Sequence, residues 1–272
     1  MKLTNISFNQ LNFKSGLTSE ILSKEMSMNV KSVEEELSNK YFVESCFFDN
    51  KSFALANQSC LDIFQRLSAQ FKVYLKLPPS IYLYNSNQLL CEDVSANFCI
   101  PDTRDVLKNE YPFPGRSIFF REFKNLDEVN NNTELLYNNK ICSSSHFLAP
   151  FIHEWLHSFQ LDYIFKNFGY GGYCDYLKEI YPNKNTKITG IELLGILKTK
   201  KLSPKESEIV GETLGCYSML PCNQYLEIFS EAFTKFICDS LNGIALIKNP
   251  LEQLKKTSMD FQNILKRVCL FK

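Results

Sequence analysis

The sequence predicts an α+β protein with segregated layers of strands and helices. Three strand-like runs lie in the first half of the chain, at 71–77 (FKVYLKL), 80–85 (SIYLYN) and 116–123 (RSIFFREF). After Ser145 the apolar residues recur at helical spacing instead. Strands early and helices late favour segregated layers over an alternating parallel sheet.

The bulk composition is that of a folded protein without a strongly charged partner. The chain has 272 residues, 44% of them apolar, and 30 basic side chains balance 30 acidic ones. Zero net charge gives no electrostatic footprint for nucleic acid or for an anionic membrane. No apolar run is long enough for membrane insertion, and residues 1–16 lack a signal-peptide core. We therefore expect a cytoplasmic protein, with export by a route that needs no signal peptide left open.

The cysteines indicate reduced thiols rather than a cysteine metal cluster. There are ten of them, no CxxC spacing occurs, and Cys216 and Cys222 are the closest pair. Without a secretory signal the default is free thiols. We expect most of them to behave as small buried apolar side chains.

The N-terminal part of the chain is expected to be mainly helical. An apolar stripe predicts a helix over 57–71, and a shorter helix is expected within 32–42. We divide the chain into residues 1–70, either an integral layer of the same fold or a small targeting module, and a domain over residues 71–272. The asparagine-rich range 125–140 is interpreted as a polar connection with little helix.

The second half of the chain carries clear helix signals. Pro150 suits the first turn of a helix, and glycines within 169–172 end it. Ser203 and Glu206 have the spacing of a capping box, which predicts a second helix start. The range 223–243 is amphipathic and predicts a third helix. Its apolar stripe consists of Leu226, Phe229, Phe233 and Phe236.

The stretch FIHEWLHSFQ carries two of the three histidines in the chain. His153 and His157 are four residues apart, so on a helix both imidazoles point toward one spot. Glu154 can reach the edge of that spot without taking a ligand position. This is the HExxH arrangement, in which two histidines bind Zn²⁺ and the glutamate acts as general base. The back of the helix is apolar, as the arrangement requires: Ile152, Trp155 and Phe159.

A catalytic zinc needs a third protein ligand and an open position for water. No histidine follows His157, so the third ligand is an Asp, a Glu, a Cys or the upstream His146. Glu227 and Glu231 stand out because they lie four apart on one helix face, opposite the phenylalanine stripe. One carboxylate can reach the metal, and the other can hydrogen-bond a ligand imidazole and fix its tautomer.

The two segments HEWLH and LEIFSEAF together resemble the gluzincin metallopeptidases. They are most similar to the branch that includes the catalytic domain of anthrax lethal factor. The resemblance implies a zincin-like fold for the domain over residues 71–272, with a small mixed sheet on the active-site helix and a mostly helical C-terminal lobe. It also implies a zinc peptidase site with His153, His157 and Glu227 as ligands, Glu154 as base and Glu231 supporting an imidazole. It covers only these two short segments.

Two departures from the family pattern concern the second segment. The family often carries a tyrosine a few residues before the third ligand, where it stabilises the oxyanion. Here Leu220 occupies the position seven before Glu227, and the nearest upstream tyrosine outside the helix is Tyr217. Tyr217 is therefore the candidate for this role. The stretch between His157 and Glu227 is longer than the branch leads us to expect, so it is predicted to add helices near the cleft.

The run RSIFFREF has two interpretations. Ile118, Phe119 and Phe120 either form an edge strand that pairs with an extended substrate by β-addition, or belong to an ordinary core strand.

Two functions fit the sequence. The first is a zinc-dependent endopeptidase acting on a protein or peptide, as a selective, toxin-like protease. The second is a non-catalytic protein-binding module on the same scaffold, with structural zinc or none. A closed structural site needs a fourth protein ligand, which Cys216, Cys222 or His146 could supply. Glu154 favours the enzyme, because a structural site needs no base.

Overall fold

The computed structural model describes residues 17–71, 80–84, 96–99, 117–158, 202–219, 224–242 and 246–268. The helices are α1 (Ser19–Ser27), α2 (Val30–Tyr41), α3 (Lys51–Phe71), α4 (Leu126–Asn138), α5 (149–158), α6 (Pro204–Leu214), α7 (Gln224–Ser240), α8 (Leu251–Lys255) and α9 (Met259–Val268). The strands are β1 (Glu44–Cys46), β2 (Ser80–Tyr84), β3 (Ala96–Cys99), β4 (Ser117–Arg121), β5 (Leu241–Asn242) and β6 (Leu246–Ile247). A 3₁₀ helix covers Cys216–Met219. These described parts of the chain are mostly helical, with the expected small mixed sheet.

The larger sheet has the strand order β1-β2-β4-β3. β1, β2 and β4 are parallel, and β3 runs antiparallel to β4. Parallel neighbours need a crossover, and α3 provides it between β1 and β2. Alternate residues of β2 and β4 point into the core in register, with Ile81 beside Ile118 and Leu83 beside Phe120. One face of the sheet is therefore covered.

The edge-strand interpretation of RSIFFREF is wrong. β4 lies between β2 and β3, so its backbone is paired on both sides; Phe119, for example, stands opposite Tyr82 and Asn97. Ile118 and Phe120 are almost fully buried. Because both backbone edges of β4 are already paired, β4 cannot pair with a substrate strand. The second interpretation, an ordinary core strand, is the correct one. The described sheet ends in β1 and β3.

Residues 17–71 belong to the same hydrophobic core as the later part of the chain. Core side chains of α3, such as Phe53 and Phe64, join those of β4 and α5 in one buried cluster. β1 also pairs with β2 across the boundary placed at residue 70. Residues 17–71 are therefore an integral layer of the fold, which is one of the two alternatives given for this part of the chain. The expected helices at 32–42 and 57–71 are present within α2 and α3.

Helix α5 is buried in the hydrophobic core. Every side chain from 151 to 158 is buried. The Phe151 ring lies 4.6 Å from the ring of Phe120, and the Trp155 ring lies 5.4 Å from that of Phe64, centroid to centroid. The indole Nε1 of Trp155 also donates to Oδ1 of Asn57 at 3.2 Å. The apolar back predicted for this helix is thus confirmed at Ile152 and Trp155, whereas Phe159 and the predicted glycine end lie outside the described residues.

The expectation of little helix at 125–140 is wrong, because helix α4 covers Leu126–Asn138. Asn125 caps it by accepting a hydrogen bond from the backbone N–H of Glu128 at 3.0 Å. The residues it buries are Leu126, Asn130 and Thr133, spaced at four and three. The periodicity was hidden because two of these three inward positions are polar. Asn130 and Thr133 satisfy their side chains within the helix, with Glu134 Oε1 and Val129 O as acceptors.

The C-terminal helices largely match the expectation. Both hydrogen bonds of the predicted capping box of Ser203 and Glu206 form at the start of α6. α7 corresponds to the predicted amphipathic helix, but Phe229 and Phe233 are only partly buried, while Ile228 and Ala232 are fully buried. Among the described residues, no helix combines the length and the hydropathy needed to cross a membrane.

The free thiols found among the described residues include Cys46, Cys60, Cys142, Cys216 and Cys238. Cys60 and Cys238 are buried, as expected, but Cys216 is exposed. Burial raises the pKa of Cys238 to about 12, so this thiol stays protonated at neutral pH.

Candidate metal centre

Five ionisable side chains are buried where α5 meets α7. They are His153, Glu154 and His157 from α5, and Glu227 and Glu231 from α7, each less than 9% exposed. Burying charged groups costs free energy unless they are paired with one another or bind a cation. Such a concentration therefore marks this junction as a candidate functional site.

Helix geometry explains why α5 supplies two donors to one point. His153 and His157 stand one turn apart, and their ring centroids are 4.6 Å from each other. Their Nε2 atoms are only 2.9 Å apart. Two imidazole nitrogens this close must share a proton or bind a common cation, because two unprotonated lone pairs would repel each other.

Helix α7 brings a carboxylate to the same point. Oε2 of Glu227 lies 3.0 Å from Nε2 of His153 and 3.6 Å from Nε2 of His157. This oxygen is fully buried, and no donor among the described residues is aimed at it with hydrogen-bonding geometry. A buried carboxylate oxygen without a hydrogen-bond donor is energetically unfavourable, and a bound cation would resolve this.

The three donor atoms fit a zinc ion. His153, His157 and Glu227 form a buried group whose potential ligand atoms lie within 4.8 Å of one another. In a tetrahedral site with ligands at about 2.0–2.1 Å, neighbouring donor atoms are separated by roughly 3.3 Å. The observed separations of 2.9, 3.0 and 3.6 Å surround that value. Two imidazoles and one carboxylate are also the donor types that zinc takes in catalytic sites.

The second nitrogen of His153 is held by a carboxylate. Nδ1 of His153 lies 3.2 Å from Oε1 of Glu231, and a carboxylate can only accept. Nδ1 therefore carries a proton, which leaves Nε2 as the atom available to a metal. The other oxygen of Glu231 accepts from the backbone N–H of Ser143 at 2.8 Å, and the Ser143 hydroxyl donates to the Glu231 carbonyl at 2.9 Å. Glu231 is thus fixed at three points.

The second nitrogen of His157 has a different partner. Nδ1 of His157 lies 3.0 Å from the hydroxyl of Ser230, which is fully buried. A hydroxyl can donate or accept, so this contact is compatible with either tautomer of the imidazole.

The local electrostatics favour a cation at this point. Burial acts to lower the pKa of His153, but Glu227 and Glu231 outweigh it and hold that pKa well above 6.5. Burial acts to raise the pKa of Glu227, but His157 and His153 outweigh it and hold that pKa well below its usual range. The carboxylates therefore stabilise positive charge on the imidazoles, and a metal ion would compete with a proton for the same nitrogen.

Tyr217 lies beside the three donors. Its ring centroid is 6.0 Å from that of His153, the two rings are inclined by 61°, and its side chain is 38% exposed. Backbone hydrogen bonds from Cys216 and Tyr217 to the carbonyls of Lys140 and Ile141, at 2.8 and 3.0 Å, hold the 3₁₀ helix against the segment before α5. The segment at 140–143 thus positions both Tyr217 and Glu231.

The glycine before this 3₁₀ helix makes the contact with the segment 140–143 possible. Gly215 has φ +91° and ψ 168°, a region that is essentially restricted to glycine. A Cβ atom there would lie 2.6 Å from the carbonyl oxygen of Ile141.

The remaining candidates from the sequence do not join the cluster. His146 stacks on Phe147, and its Nδ1 accepts from the backbone N–H of Leu148 at 3.1 Å. Cys216 is exposed, and Cys222 lies outside the described residues. Among the residues that the structure describes, the cluster therefore has three donors and not the four of a closed structural site.

Ser230 and Ser143 were missed by the sequence analysis. Ser230 could have been found, because it follows Glu227 by three residues and so lies near it on the helix. Ser143 carried no signal, since its partner Glu231 is 88 residues away in sequence.

Comparison with known proteins identified no relative: no family model, no curated protein and no solved structure matches this chain. The function of this chain is therefore inferred from its residues and their geometry.

Proposed function

We propose that this chain is a zinc-dependent metallopeptidase that hydrolyses a peptide bond in a protein or peptide substrate. The observation that carries the proposal is the convergence of Nε2 of His153, Nε2 of His157 and Oε2 of Glu227, 2.9 to 3.6 Å apart. A zincin-like fold belongs to the same proposal. It is supported by the mixed sheet packed on α5 and by the helices that follow in the chain.

In this proposal His153, His157 and Glu227 hold the zinc ion. When bound, zinc lowers the pKa of a water molecule to about 7 and polarises the substrate carbonyl. Glu154, next in sequence to the first ligand, accepts the proton of the attacking water and returns it to the leaving amine. Tyr217 donates its hydroxyl to the oxygen that becomes negatively charged, which its place beside His153 and its partial exposure would allow.

The cluster geometry favours an enzyme over a binding module with structural zinc. Three donors within the described residues leave one tetrahedral position for water or substrate. The chain has equal numbers of basic and acidic side chains. This neutrality fits the proposal of a selective, toxin-like protease that acts on few targets.

The first experiment measures zinc per chain by elemental analysis and hydrolysis of a fluorogenic peptide library. We expect about one zinc per chain in the wild type, from the single site. Glu154→Gln should keep the zinc and lose at least about 100-fold in hydrolysis, the lower end of general-base contributions. Glu227→Ala should lose zinc, and Glu231→Ala should weaken zinc binding by a smaller factor.

For each protein, one outcome would contradict the role or site proposed here. Full hydrolysis by Glu154→Gln would remove Glu154 from the role of base. Weaker zinc binding in Glu231→Ala than in Glu227→Ala would exchange the roles of the two carboxylates. A wild type that binds no zinc after metal supply and buffer exchange would leave the binding module as the better function.

A further inference from the structure

One turn of α7 carries both the carboxylate donor and the contacts that hold the two imidazoles. Glu227 faces the donor cluster, Ser230 contacts His157, and Glu231 contacts His153. Ser230 is fully buried, and its hydroxyl lies 3.0 Å from Nδ1 of His157. This hydroxyl is the polar side-chain group that the structure places against the outer nitrogen of the second ligand.

We propose that Ser230 is a positioning residue that fixes the ring of His157 for metal binding. The inference rests on the proposed zinc centre and assigns a residue that the HExxH pattern does not contain. For Nε2 of His157 to bind a metal, the proton of the neutral imidazole must reside on Nδ1. The Ser230 hydroxyl then accepts from that N–H and holds the ring plane, as outer hydrogen-bond partners of metal-bound histidines do.

The two histidines differ in how firmly their tautomer is fixed. Glu231 can only accept, so it fixes the proton of His153 on Nδ1 with or without a metal. Ser230 can also donate, and His157 can then carry its proton on Nε2, which lies 2.9 Å from Nε2 of His153. The Ser230 contact is therefore compatible with both tautomers of His157, and metal binding at Nε2 selects the one that carries its proton on Nδ1.

The test separates the hydroxyl from the volume of the side chain. Ser230→Thr keeps a hydroxyl. Ser230→Val introduces a side chain of nearly the same shape as threonine but without the hydroxyl. Because Ser230 is fully buried, the added methyl groups strain both variants similarly, and their difference reports the hydrogen bond. Ser230→Ala removes the oxygen without adding volume.

The measured quantity is zinc affinity, from competition with a colorimetric chelator, with visible absorption of the cobalt-substituted protein as a second readout. Ser230→Ala and Ser230→Val should bind zinc roughly 10- to 100-fold more weakly than the wild type and change the cobalt spectrum. Ser230→Thr should stay within about threefold of the wild type, since it keeps the partner that outer-ligand positioning requires.

Ser240→Ala is the matched control. Ser240 is also a buried serine of α7, and its hydroxyl donates to the carbonyl of Ile237 at 2.7 Å, within the helix. Its loss should lower the unfolding temperature without changing zinc affinity. Thermal unfolding of each metal-free variant establishes that it is folded before titration; if Ser230→Ala is not, the Thr and Val pair decides.

The outcomes distinguish this inference from the proposed function. Wild-type zinc affinity in both Ser230→Ala and Ser230→Val would overturn the role of Ser230 and leave the zinc centre intact. Equal weakening in the Thr and Val variants would show that packing, not the hydroxyl, matters, and would also overturn it. A wild type without zinc would overturn the zinc centre and this inference together.

Discussion

Helices α5 and α7 each contribute donors to the candidate metal centre, but different forces hold them. α5 packs against aromatic side chains, with Phe120 against Phe151 and Phe64 against Trp155. α7 also buries apolar residues, yet near its donors it is tied by hydrogen bonds to Ser143. Packing sets where a helix lies, whereas directional bonds set the angle of individual side chains. The comparison suggests that α5 determines whether the site exists and α7 determines how well it fits a metal.

The largest effect is expected on the α5 side of this comparison. Phe151 is almost fully buried, and its ring lies within 6.1 Å of the rings of Phe120, Phe123 and Phe53. Phe151→Ala leaves a cavity in this cluster and should lower the free energy of unfolding by about 3–5 kcal/mol. Urea unfolding of the metal-free protein measures this cost.

Phe233→Ala on α7 is the control for that variant. Phe233 is only partly buried and stacks on Phe229 at 4.8 Å, so its removal should cost clearly less. Equal costs for the two variants would contradict the view that packing matters more for α5.

The same contrast explains what could be predicted from the sequence. The donors of α5 follow from a local spacing, and the carboxylates of α7 repeat that spacing, so His153, His157, Glu227 and Glu231 could all be named. Ser143 could not, because its contact with Glu231 depends on how distant segments fold together. The position of β4 in the sheet is equally non-local, since β3 pairs outside it.

Helix α4 was missed for a local reason. Hydrophobic periodicity detects a helix only when its buried positions are apolar. Here two of the three buried positions are Asn130 and Thr133, which hydrogen-bond within their own helix. The cap at Asn125 was a usable signal, because Glu128 three residues later completes a capping pattern.

The next effect concerns the segment that links Tyr217 to the site. Gly215→Ala places a Cβ 2.6 Å from the carbonyl oxygen of Ile141, at a φ of +91°. We expect it to cost about 1–3 kcal/mol of unfolding free energy from backbone strain. It should also shift Tyr217 away from His153 and so reduce hydrolysis more than zinc binding.

Gly211→Ala is the matched control for Gly215→Ala. Gly211 lies inside α6, where an added Cβ would be 3.8 Å from the Met219 side chain, an ordinary contact. Alanine is favoured over glycine in a helix, so this variant should be stabilised by about 0.5–1 kcal/mol. If both variants were destabilised alike, the special conformation of Gly215 would not be the cause.

A smaller effect is expected at Ser143, on the hydrogen-bonded side of the comparison. Ser143→Ala removes the hydroxyl bond to the Glu231 carbonyl and keeps the backbone bond to its carboxylate. The expected loss is about 1 kcal/mol of unfolding free energy. Zinc affinity should fall as well, because Glu231 supports His153. An unchanged zinc affinity would mean that the backbone bond alone positions Glu231.

The last effect, similar in size, is a pH dependence just before α5. Burial lowers the pKa of His146 to about 4, from an ordinary 6.5. As pH falls below 6.5 the unfolded chain binds a proton that the folded chain refuses, so stability decreases until about pH 4 and then levels off. The full shift corresponds to about 3 kcal/mol, and the partial exposure of His146 reduces our expectation to about 1 kcal/mol.

His146→Asn tests this dependence, because the Asn oxygen can replace Nδ1 as acceptor for the N–H of Leu148. The free energy of unfolding, measured from pH 7 to pH 4.5 in chelator, should fall less steeply in the variant than in the wild type. Since the two proteins differ only at residue 146, the difference between the two curves isolates His146. Parallel curves would mean that His146 is protonated in the folded state too. The start of α5 would then be solvated, which would weaken the contrast between a packed α5 and a hydrogen-bonded α7.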